Sequence, residues 1–95
     1  MKTLKLKDQA ELDSGTYFFH NEKGQKTGEC IFDDYYSAWA TDDDDNEYYV
    51  VWEITDWEAF ENGDEGWACD WDKPAEILDD ETGIPLPLND VKLIH

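Results

Sequence analysis

At 95 residues, with 40% hydrophobic and 15% aromatic content, the chain has room for one domain with one core and lacks the low hydrophobicity that marks a disordered acidic protein. Its formal net charge of -18 excludes direct nucleic-acid binding and attachment to anionic membranes, both of which need a basic surface. The charge is uneven: residues 27–72 hold sixteen carboxylates and eleven aromatic rings without one Lys, Arg or His, whereas residues 1–26 balance at +1.

In chain order, Thr3 to Lys7 alternates Leu4 and Leu6 with lysines and predicts a strand with the leucines inward. This N-terminal stretch has no apolar run long enough for a signal peptide or membrane span, so a cytoplasmic setting is expected. Asp13-Ser14-Gly15 carries turn chemistry, and Thr16 to His20 is suited to a strand. Asn21 to Gly28 predicts a hairpin loop, with Glu29 to Phe32 as the return strand. Tyr35 to Ala40 and Tyr48 to Thr55 flank the polar run Thr41 to Glu47 and predict a second hairpin. Tyr48, Val50, Trp52 and Ile54 share one face, and Tyr49 with Val51 makes the other face apolar too, so this segment is expected at the sheet centre.

Thr55-Asp56-Trp57-Glu58 fits a capping box with Thr55 as the cap. A short helix over 56–61 follows, with Trp57 and Phe60 toward the core and Gly63 as its stop. Residues 64–72 give no clear pattern. Ala75 to Leu78 reads as strand or helical turn, Asp79 to Gly83 as a turn, Ile84 to Leu88 with its two prolines as an edge or extended segment, and Val91 to Ile94 as a final strand. The fold class expected is α+β, mostly antiparallel β: one domain over residues 1–95, built as a small single sheet of hairpins with one short helix packed on it.

Four constellations bear on chemistry. Asp42-x-Asp44-x-Asn46, followed by Glu53, aligns with ligand positions 1, 3, 5 and 12 of an EF-hand loop, but Glu47 stands where the sharp bend needs Gly and the flanks read as strands. An acidic hairpin tip is the plainer reading, with weak millimolar calcium binding as the alternative. The soft metal ligands His20, Cys30, Cys69 and His95 are scattered, so no metal site and no cofactor is expected; the cysteines read as buried free thiols and the histidines as surface residues. No nucleophile-and-base pattern, phosphate-binding glycine run or distinctive carboxylate pair is present, so an enzyme is not expected. Of the five tryptophans, Trp67 and Trp71 stand among acids, where core packing and partner contact are both open readings.

These residues point to a binding protein whose carboxylates occupy the basic nucleic-acid-binding surface of a partner protein, as a DNA mimic does. Acids on a pleated sheet approach the charge density of duplex DNA, because alternate residues lie about 6.7 Å apart and neighbouring strands about 4.8 Å. The contact residues expected are Asp42, Asp43, Asp44, Asp45 and Glu47 at the tip, with Asp64, Glu65, Trp67, Asp70, Trp71 and Asp72 beyond the helix. In size and charge the chain resembles small phage-encoded inhibitors of bacterial defence nucleases and the immunity proteins of nuclease toxins. The alternative is a small acidic soluble domain whose charge serves solubility.

Overall fold

The structure, a computed structural model, describes residues 2–94, with the side chains of residues 28–33 outside the description. The expectations for the Cys30 thiol and for His95 therefore lie outside the described residues. Six strands form one sheet: β1 (Lys2–Leu6), β2 (Glu11–His20), β3 (Lys26–Thr41), β4 (Glu47–Glu53), β5 (Glu76–Asp79) and β6 (Val91–Ile94). Two short helices, α1 (Trp57–Glu61) and α2 (Glu65–Ala68), lie between β4 and β5, and a 3-10 turn over Leu88–Asp90 leads into β6. The mostly antiparallel α+β class holds, with two helices in place of one.

The sheet order is β5-β4-β3-β1-β6, and β2 also pairs with β3. The centre is thus β3 rather than the 48–55 segment. The expected strands Glu29–Phe32 and Tyr35–Ala40 are one strand of 16 residues, long enough to take β4 on one edge and both β1 and β2 on the other. Asp13-Ser14-Gly15 is not a turn. Between the pairs Asp13↔Tyr35 and Thr16↔Asp33, β2 carries one residue more than β3, so the turn chemistry is spent on a bulge. Gly15 at φ +142° and Asp34 at φ +57° supply the left-handed backbone that the bend requires. The only parallel pair among the described strands is β1 with β6, with Leu4 opposite Leu93.

The β3–β4 hairpin has the expected register, Thr41↔Glu47 to Tyr35↔Glu53. Strand alternation sends Leu4, Tyr36, Val50, Trp52 and Ile54 into the main core, closed by Ala68 and Cys69 of the helical insert. Tyr17 and Val51 form a second cluster on the other face, against Tyr35 and Tyr49. In a flat sheet β2 and β5 would stand three strand spacings apart, about 14 Å. Instead Tyr17 and His20 of β2 contact Glu76 of β5, so the bulged β2–β3 ribbon curls over the sheet.

Two local expectations shift by one position or one face. The cap of α1 is Asp56, whose carboxylate accepts from the Ala59 amide at 3.0 Å; Thr55 instead binds the Ala68 carbonyl through its own amide and hydroxyl. A charged acceptor at a helix N-terminus gains from the dipole, which favours Asp over Thr here. Trp57 does not enter the core: it is 45% exposed and packs edge-on against Phe60, which does reach the core. Gly63 stops the helix at φ +81°, with the Asp64 amide donating to the Ala59 carbonyl. Ile84 to Leu86 runs extended beside β5, as Leu86 donates to the Ile77 carbonyl, and among the described residues no helix is long and apolar enough to cross a membrane.

Candidate functional site

The acidic tip closes the β3–β4 hairpin, and its residues are not equivalent. Asp42 turns inward: its carboxylate accepts from the Asp44 and Asn46 amides, the Asn46 side chain and the Tyr48 hydroxyl, all at 2.9–3.1 Å. Lys2 stands 3.6 Å away and donates to the same Tyr48 hydroxyl. The Asn46 side-chain amide above all, with the backbone amides and Tyr48, holds the Asp42 carboxyl well below the usual carboxylate range. Asp43, Asp44 and Asp45 project to solvent. Glu47 is exposed but paired with Lys7 at 2.6 Å.

The second set of expected residues lies on the helical insert. Asp64, Glu65, Asp70 and Asp72 are exposed, and Trp67 is 79% exposed. Trp71 belongs to packing: its indole N–H donates to the Gly66 carbonyl, and its ring meets Tyr36 and Trp52 at 5.3 Å each. Tip and insert leave opposite ends of β4, whose seven residues span about 23 Å at about 3.3 Å each. The expected contact residues therefore fall in two patches, one toward each end of β4.

Sequence reasoning missed two features. The first is a cleft of about 510 Å³ between the loop after β1 and α2. Leu6, Ala10, Tyr36 and Trp71 supply its apolar walls, and Asp8 and Glu65 its carboxylates. Tyr36 is 2% exposed, and its hydroxyl makes no hydrogen bond of ordinary length among the described residues. Burial first, and then the field of Glu65, push its ionisation upward, so it remains a neutral phenol.

The second is a buried polar cluster. Glu76, 6% exposed, accepts from the Tyr17 hydroxyl, from the His20 amide at 3.0 Å and shares a contact with His20 Nδ1 at 2.8 Å. The signal was present in Ala75-Glu76-Ile77-Leu78, a carboxylate set into an apolar strand, which is tolerated only where donors meet it. These donors tie the curled ribbon to β5. Cys69 is a buried free thiol, pushed up to about 11 by burial and by Glu53, which keeps it protonated. Among the described residues no three His, Cys, Asp or Glu side chains gather in a metal-ligand cluster.

Comparison with protein-family models, with curated proteins and with solved structures yields no match.

Proposed function

We propose that this protein acts by binding rather than by catalysis, its acidic surface occupying the basic nucleic-acid-binding surface of a partner protein as a DNA mimic. The observation that carries this reading is charge per length. The body is 38 Å long and bears 18 net negative charges, one per about 2.1 Å, against about one per 1.7 Å in duplex DNA. Among the described side chains, Lys2 pairs with Asp42, Lys7 with Glu47 and His20 with Glu76, while Asp43, Asp44 and Asp45 stand exposed to solvent. Inhibition of a nuclease or another DNA-handling enzyme in the cytoplasm is the role such a surface serves, since a mimic competes with phosphate for the same lysines and arginines.

The test is capture from native lysate at low salt, comparing wild type with an Asp43→Asn, Asp44→Asn, Asp45→Asn variant. Asp42 is left intact because it organises the loop. The reading expects a basic nucleic-acid-binding protein, retained less well by the variant. A captured set without basic proteins contradicts it.

A further inference from the structure

We infer that the cleft beside α2 seats an arginine side chain of the partner. This rests on the acidic-surface reading and assigns the residue it recognises. Three features of the cleft select that group. Leu6, Ala10 and Trp71 give apolar walls for an aliphatic stem, and Trp71 adds an aromatic ring at the wall beside which a planar cation can lie. Asp8 and Glu65 give carboxylates at the rim, while the one lysine there, Lys7, is held by Glu47 at 2.6 Å and leaves the cleft acidic. The third feature is the buried Tyr36 hydroxyl, which makes no hydrogen bond of ordinary length among the described residues and interacts only weakly with Glu65, so that its hydrogen-bonding capacity is poorly used until a ligand meets it.

Tyr36 and Glu65 line the same cleft, and the phenol lies close enough to Glu65 for that carboxylate's charge and a weak hydrogen bond to raise its ionisation. Glu65 is exposed on a helix of four residues whose cap makes no side-chain hydrogen bond, so its side chain is able to rotate onto an incoming cation. A guanidinium offers five donors in a plane: two meet Glu65 side by side as it turns, and another is directed at the Tyr36 oxygen, which is buried in the unliganded chain. An ammonium presents neither the plane for Trp71 nor the paired donors. The volume, about 510 Å³, falls in the range of small-molecule pockets and exceeds what one side chain fills, leaving room for the flanking backbone.

The test is an NMR titration of the whole chain at low salt with a capped Gly-Arg-Gly peptide and, separately, its Gly-Lys-Gly counterpart. The arginine peptide is expected to bind about two- to fivefold tighter. It should shift the Trp71 indole N–H and the amides of residues 8–10. Tyr36→Phe removes only this hydroxyl, so it should fold as well as wild type yet weaken the arginine peptide about tenfold, and Glu65→Gln should do likewise. Unchanged binding by folded Tyr36→Phe overturns the cleft proposal. So do equal binding of the two peptides, shifts confined to the tip and to Asp70 and Asp72, or no binding of either. Each of those results leaves the acidic-surface reading to stand or fall on the lysate capture. Arginine-selective shifts at Trp71 without any basic partner in the lysate sustain the cleft and remove the mimic.

Discussion

Among single residues, Asp42 shows how one letter in a run of four identical ones takes a structural part. Its position at the end of β3 places two amides, an amide side chain and a phenol around one carboxylate, whereas Asp43 to Asp45 point outward. Composition made the run legible but not this division, which depends on the turn that follows Asp42. Its native carboxyl titrates below the ordinary 3.8, so the folded state binds fewer protons than the unfolded one in acid. That stabilisation is fully present above the unfolded value and is lost as pH falls from about 4 toward the lower native value. Asp42→Asn is accordingly expected to melt below wild type at pH 6, with the gap narrowing below about pH 4. Thermal melts of the two proteins across pH check this; a gap that widens on acidification contradicts it. Glu76 was less legible still. Its acceptors are used by β2, and a strand pattern read one segment at a time gives no sign that β2 curls over β5.

Elements were legible where alternation or a turn residue acts locally. The second hairpin, the inward face of β4 and the Gly63 stop all follow from adjacent residues. The misread strands share one cause, which is that tertiary pairing reassigned a local signal. Asp13-Ser14-Gly15 has turn chemistry, yet the length of β3 lets β2 continue past it, so the same residues make a bulge. Gly15 sits at φ +142° with open space where a Cβ would stand, so a side chain there meets backbone strain alone. Gly15→Ala should cost about 1–2 kcal/mol by chemical denaturation. It should also loosen the curl that brings Tyr17 to Glu76. A variant as stable as wild type would show that the bend does not need this backbone. The helical insert was the least legible part, because a four-residue α2 has no period to read and is held by Ala68 and Cys69 packing in the core. The cleft, which lies between that insert and the loop after β1, was invisible for the same reason.

For the whole molecule, net charge is the feature that sequence states most directly and folding alters least. Folding crowds the carboxylates onto a body of 38 × 30 × 20 Å, so repulsion opposes compaction and salt relieves it. Melting temperature is therefore expected to rise from low to moderate ionic strength, while the partner binding proposed above is expected to weaken under the same screening. A melting temperature indifferent to salt would mean that the acids do not oppose folding. What sequence could not give is the arrangement of the acids. The expected contact acids fall at the tip and on the insert, at opposite ends of β4, while others such as Glu11, Asp13, Asp80 and Glu81 lie on neither.

The central claim is that this acidic surface takes the place of nucleic acid. Its most direct test mixes the captured partner with a labelled duplex and increasing amounts of this protein, at two salt concentrations, and follows the complexes by native electrophoresis. Mutually exclusive binding, with affinity for this protein falling steeply as salt rises, is the result predicted. A stable ternary complex of partner, duplex and this protein would contradict it.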